Sequence, residues 1–71
     1  MPSARADEFR RAAARLGFEL RRQTGSHERW AHADGRAVTI PIHGGRAIGP
    51  PLFNRILQQL GIGVEEFRRI R

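Results

Sequence analysis

Three histidines, His27, His32 and His43, are the side chains of this 71-residue sequence whose ordinary pKa suits proton exchange near pH 7. Cysteine and tyrosine are absent, and all 13 basic residues are arginine, which keeps its proton at neutral pH. Acid–base chemistry therefore falls first on a histidine. His27 stands out because it closes the triplet Gly25-Ser26-His27, a turn signal between two strand-like runs. An imidazole held at a tight turn beside guanidinium groups has the parts to cut a phosphodiester. RNA supplies its own nucleophile: a base takes the proton of the 2′-hydroxyl, an acid protonates the leaving 5′-oxygen, and cations stabilise the charge between them. DNA lacks that hydroxyl, so such a site favours RNA.

Other chemistries fit less well. His27 and His32 are five apart, which puts them on opposite faces of one strand. His43 is distant in sequence, and no compact carboxylate cluster completes a ligand set, so no metal site and no cofactor is expected. Ser26 has no readable Asp/Glu-oriented triad, which argues against a serine nucleophile. His32, near a hairpin end, reads as structural or solvent-facing. His43 immediately follows a strand and stays open as a second proton-transfer group.

The elements that position these residues can be read from periodicity. Ser3 caps a first helix, with Asp7 and Glu8 near its positive end and Phe9, Ala12, Ala13 and Leu16 on one face. Gly17 stops it. Phe18 to Gln23 alternates as a half-buried strand with Phe18 and Leu20 inward; Thr24-Gly25-Ser26 is the turn, and His27 to His32 forms a second strand anchored by Trp30. Ala33-Asp34-Gly35 signals a hairpin, and Arg36 to Ile42 makes a third strand with Val38, Ile40 and Ile42 on one face. A loop begins at His43-Gly44-Gly45-Arg46 and ends at Pro50-Pro51, where Pro50 caps a second helix and Pro51 is its first residue. Leu52, Phe53, Ile56, Leu57 and Leu60 give it an apolar stripe; Gly61 and Gly63 break it before a short last helix carrying Val64, Phe67 and Ile70.

The expected architecture is therefore α+β: a helix, a three-stranded antiparallel sheet, a second helix and a short C-terminal helix in one domain spanning residues 1–71. Its core should join Phe9, Leu16, Phe18, Leu20, Trp30, Val38, Ile40, Phe53, Ile56, Leu57 and Leu60. With Trp30 inward, parity turns His27 and Arg29 outward, and with Leu20 inward it turns Arg21 and Gln23 outward as well. Arg21 and Arg29 should then converge on His27 as a basic patch, joined by Arg46 and by free N–H groups at the second helix start.

The net charge of +6 on so short a chain points to a polyanionic partner. No apolar run approaches the roughly 18 residues of a membrane span, no leader is evident, and the lack of cysteine suits a reducing compartment, so a soluble cytoplasmic protein is expected.

The segment from Gly17 to His27 resembles the start of HicA-type (YcfA-like) mRNA interferase toxins. The resemblance continues through Asp34-Gly35-Arg36-Ala37-Val38-Thr39-Ile40-Pro41 and His43-Gly44, resumes at Ile56 to Ile62 and ends in Val64-Glu65-Glu66-Phe67. It implies a fold like the double-stranded-RNA-binding domain and a metal-independent endoribonuclease that cleaves mRNA, neutralised by a HicB-type antitoxin covering the active site. It also implies His27 as the catalytic residue, with Gly25 and Ser26 completing the motif. Around the second helix start, members of that family often carry lysine, Pro-Gly, threonine and arginine. This chain has Gly49, Pro50-Pro51, Leu52 and Asn54, so cationic grip there is lost or moved to Arg46 and Arg55. Two other readings stand beside the toxin: a non-catalytic RNA-binding module of the same fold, and a degenerate toxin that mainly binds its antitoxin.

Overall fold

The computed structural model describes residues 2–71. In chain order the elements are β1 (Ala4–Arg5), α1 (Ala6–Arg15), β2 (Glu19–Thr24), β3 (His27–Ala31), β4 (Ala37–Pro41), β5 (Ala47–Ile48), α2 (Leu52–Leu60) and α3 (Val64–Ile70). β2, β3 and β4 form an antiparallel meander with β3 in the centre. The fold is thus α+β, with helices backing a three-stranded sheet in the manner of a double-stranded-RNA-binding domain. One addition is a two-stranded ribbon, β1 with β5, pairing Ala4 with Ile48 and Arg5 with Ala47.

That ribbon corrects the start of α1. Ser3 does not cap the helix: residues 4 and 5 are extended against β5, and Arg5 is the N-cap. Glu8 serves this end instead, accepting the Arg5 backbone N–H at 2.9 Å. At the other end Gly17, at φ 95°, takes the left-handed conformation that ends the helix. α2 begins at Leu52 with Pro51 as its N-cap, one residue later than the sequence suggests.

Phe9, Ala12, Ala13, Phe18, Trp30, Val38, Ile40, Phe53, Ile56, Leu57 and Leu60 are buried together as expected. Phe67 of α3 joins them fully buried: its ring lies 5.1 Å from Phe9 and 5.7 Å from Phe53, so three phenylalanines from three helices tie the helical layer together. Leu16 is only partly buried, and Leu20 is 46% exposed rather than in the core. Leu20 does sit opposite Trp30, but α1 and α2 pack on β4, and the edge strand β2 lies beyond their cover.

A β-bulge changes the faces of β2. Leu20 pairs with Trp30, but the next pair is Arg22 with Arg29, followed by Gln23 with Glu28 and Thr24 with His27. Arg21 is the extra residue, and from there on the side-chain parity is inverted. Gln23 therefore shares a face with inward-pointing Glu28, not with His27; Arg22 and Thr24 take the outward positions instead. Among the described residues, no helix is long and apolar enough to cross a membrane.

Candidate active site

Two residues, Gly25 and Ser26, connect β2 to β3. Gly25 has φ 59° and, among the described residues, none other than glycine has positive φ, so the chain turns as a two-residue hairpin with glycine first. Gln23 braces it by donating Nε2–H to the Gly25 carbonyl at 3.1 Å. Thr24 belongs to the strand rather than the turn. His27 is consequently the first residue of β3, exposed on the face away from the core, while its neighbour Glu28 is buried. Glu28 fixes that orientation from behind, accepting Trp30 Nε1–H at 3.1 Å and pairing with Arg10 Nε at 3.1 Å.

His27 lines a cleft of about 280 Å³ with Thr39 and Pro41 of β4, His43, and Leu52, Arg55 and Gln59 of α2. Leu52, Arg55 and Gln59 stand at i, i+3 and i+7, one stripe of the helix. Gln59 holds that stripe against the free edge of β4, its Oε1 accepting the Thr39 backbone N–H at 3.3 Å. A second depression of about 310 Å³ adjoins the first, lined by His43, Arg46, Ala47, Ile48, Gly49 and Leu52. His43 and Leu52 belong to both.

The sequence-derived site residues divide accordingly. His27 is in the cleft and Arg46 in the adjoining depression. Arg29 borders the cleft by donating from Nη1 to Thr39 Oγ1 at 2.8 Å. Arg21, in the bulge, instead pairs with Glu19 at 3.5 Å, while Arg22 stands directly opposite Arg29. The helix start offers less than expected, since the Phe53 N–H is taken by the Gly49 carbonyl at 2.9 Å. Arg55, to which the departures from the family pattern allowed the cationic grip to move, lies in the cleft itself, on one helix stripe with Leu52 and Gln59.

Charge is segregated as well. The ion pairs among the described residues engage Arg5, Arg10, Arg11, Arg21, Arg36, Arg68 and Arg71. Six arginines take part in none of them: Arg22, Arg29, Arg46 and Arg55 lie on or beside the cleft face, and Arg15 of α1 and Arg69 of α3 lie away from it. No acidic residue lines either depression. A cleft with uncompensated guanidinium groups and accessible imidazoles is fitted to a phosphodiester anion. Among the described residues, no group of three or more His, Cys, Asp or Glu is placed to hold a metal ion.

His32 is committed elsewhere. Its Nε2 donates to the Leu16 carbonyl at 3.1 Å, its Nδ1 accepts the Asp34 N–H at 3.0 Å, and its ring packs edge-on to Phe18 with centroids 5.1 Å apart. Of the two roles open to a histidine near a hairpin end, structural or solvent-facing, His32 takes the structural one.

An α+β domain of the double-stranded-RNA-binding type, with a histidine on a Gly-Ser turn facing a cationic cleft, defines a narrow class. Residues 6–62 match the family described as the HicA toxin of bacterial toxin–antitoxin systems, and the chain belongs to that family. The match covers every element from α1 through α2 and so includes the whole cleft. Membership in a toxin–antitoxin family implies an antitoxin partner. No curated protein matches the chain.

Proposed function

We propose that this protein is the RNA-cleaving toxin of its pair, a metal-independent endoribonuclease acting on mRNA in the cytoplasm, with His27 as a proton-transfer group. A HicB-type antitoxin silences it by covering the cleft. The observation that carries this reading is His27 beside Arg55 in a cleft free of lining carboxylates, in a chain of the HicA family. Arg55 stabilises the negative charge that grows on the phosphoryl oxygens. Arg46, Arg29 and Arg22 hold flanking phosphates, Arg21 adds positive potential from the bulge, and Gly25 and Ser26 contribute the turn that brings backbone close to the strand. Arginine–phosphate contacts of this kind carry affinity rather than sequence choice.

The test is cleavage of a mixed RNA by the purified protein in EDTA, beside its His27→Ala variant. Wild type is expected to cut and to leave a cyclic phosphate on the upstream fragment, and His27→Ala is expected to bind RNA without cutting. Equal cleavage by the two would refute the assignment. Binding without cleavage by wild type would transfer the chain to the non-catalytic RNA-binding reading.

A further inference from the structure

We propose that His43 is the second proton-transfer group of the cleft, so that cleavage runs on a histidine pair. The proposal rests on the ribonuclease reading above. Transesterification needs two proton transfers at different atoms: the O2′–P bond forms as the 2′-hydroxyl gives its proton to one imidazole, and the P–O5′ bond breaks as O5′ takes a proton from another. The products are a 2′,3′-cyclic phosphate and a 5′-hydroxyl, and solvent returns both imidazoles to their starting states. One residue placed on one side of the phosphorus serves one of these transfers well, and the other requires a second group.

The lining of the cleft narrows that second group to one. Thr39 is held by Arg29, and Gln59 is held by the Thr39 N–H. Pro41 and Leu52 have nothing to exchange, and Arg55 keeps its proton. His43 remains, and the backbone puts it beside His27. The β3–β4 ladder pairs His27 with Pro41 and runs one bond further, the Ile42 N–H donating to the Ser26 carbonyl at 2.6 Å. His43 follows directly and starts a turn closed by the Arg46 N–H on its carbonyl at 3.2 Å, with Gly44 at φ 62°. Among the described residues, neither the His27 nor the His43 ring has a hydrogen-bond partner, in contrast to His32. His43 also belongs to both depressions, at the point where a strand bound along the arginines passes from Arg55 to Arg46. The charged groups facing the two imidazoles are Arg55 from α2, Arg46 from the loop and Arg29 at the rim through Thr39.

The experiment compares wild type, His27→Ala, His43→Ala and His43→Asn on an oligoribonucleotide and on its analogue with sulfur at the 5′-bridging position. The thiolate leaves without a proton, so the analogue relieves the loss of the acid but not of the base. His43→Ala and His43→Asn are expected to keep the melting temperature and RNA affinity while the maximal rate falls about 10²–10⁴-fold. The two-limbed pH–rate profile should lose one limb in each histidine variant, the opposite limb in each. One of His27→Ala and His43→Ala, and not the other, should recover on the sulfur analogue. The inference is overturned if the His43 variants cut at the wild-type rate while His27→Ala is inactive. It is equally overturned if they weaken binding alone, or keep both limbs of the profile. If His27→Ala itself cuts as wild type does, the parent reading fails instead.

Discussion

The start of β3, at His27, and the residue just past its end, His32, carry the same side chain in opposite circumstances. At one end His32 is fixed by the Leu16 carbonyl, the Asp34 N–H and the Phe18 ring, and next to it Arg36 stacks on Phe18 at 5.1 Å, pairs with Asp34 at 2.8 Å and donates to the Leu60 carbonyl. That end joins α1, the sheet and the C-terminus of α2. At the other end His27 stands on a glycine turn, with no hydrogen-bond partner for its ring among the described residues, facing arginines that no carboxylate neutralises. Position relative to the core decides the difference. Where three elements converge, a histidine becomes a bridge, and where β3 begins at the open cleft beside α2 it is left accessible.

The largest effect that would break this comparison is a reciprocal one. His27→Ala should lower the cleavage rate about 10²–10⁴-fold, with stability changed by no more than about 0.5 kcal/mol, because the ring fills no core space. His32→Ala should do the reverse. It leaves the Leu16 carbonyl without its donor and opens the Phe18 edge, which costs about 1–3 kcal/mol, while the folded fraction cuts at the wild-type rate. Thermal unfolding and single-turnover cleavage measured on both variants decide it; a His32→Ala protein that is stable but inactive would make the two ends alike.

The contrast between the ends was partly written in the chain. Alternation of Val38 and Ile40, the Asp34-Gly35 signal and the Gly25-Ser26 turn placed the strands to within a residue or two, and parity about Trp30 turned His27 outward. The bulge left no such trace, because Arg21-Arg22-Gln23-Thr24 is polar throughout and offers no apolar residue whose misplacement would reveal a slip. Leu20 misled for a related reason: its parity is inward, but whether a helix covers it depends on packing onto β4. Arg55 was legible only as a place to which cationic grip could move, since a helix period shows that Leu52, Arg55 and Gln59 share a stripe but not that the stripe borders the edge of β4. The β1–β5 ribbon joins segments more than forty residues apart, a pairing that no local pattern encodes.

A smaller effect sharpens the electrostatic side. Arg55→Ala and Arg22→Ala remove guanidinium groups that no ion pair engages, so each should weaken RNA binding across sequences and flatten the dependence of affinity on salt by about one released counterion. Arg36→Ala, at the bridging end, should leave that slope unchanged and lower the melting temperature instead. A fluorescence titration over a range of salt concentrations separates the cases, and equal slopes for all three variants would mean that the charge is not segregated as described.

The smallest effect is the pH response of the bridging end. The Arg36 backbone N–H, bonded to Asp34 at 3.0 Å, is the main cause that holds the Asp34 carboxyl below its ordinary value; partial desolvation opposes it, and the Arg36 guanidinium and His32 add to the lowering. A carboxyl lowered in the folded state contributes stability that is fully present above its unfolded value of 3.8 and is lost as pH falls through the folded value. Asp34→Asn keeps an acceptor for the Arg36 N–H but removes the charge, so its melting temperature should fall less than that of wild type as the pH drops from about 6 to about 3. At neutral pH the same variant should cleave RNA as wild type does, because Asp34 lies at the end of β3 away from the cleft. Parallel melting curves for the two proteins across that range would show that the carboxylate contributes nothing there, leaving the His32 bridge to rest on its bond to Leu16 and its contact with Phe18.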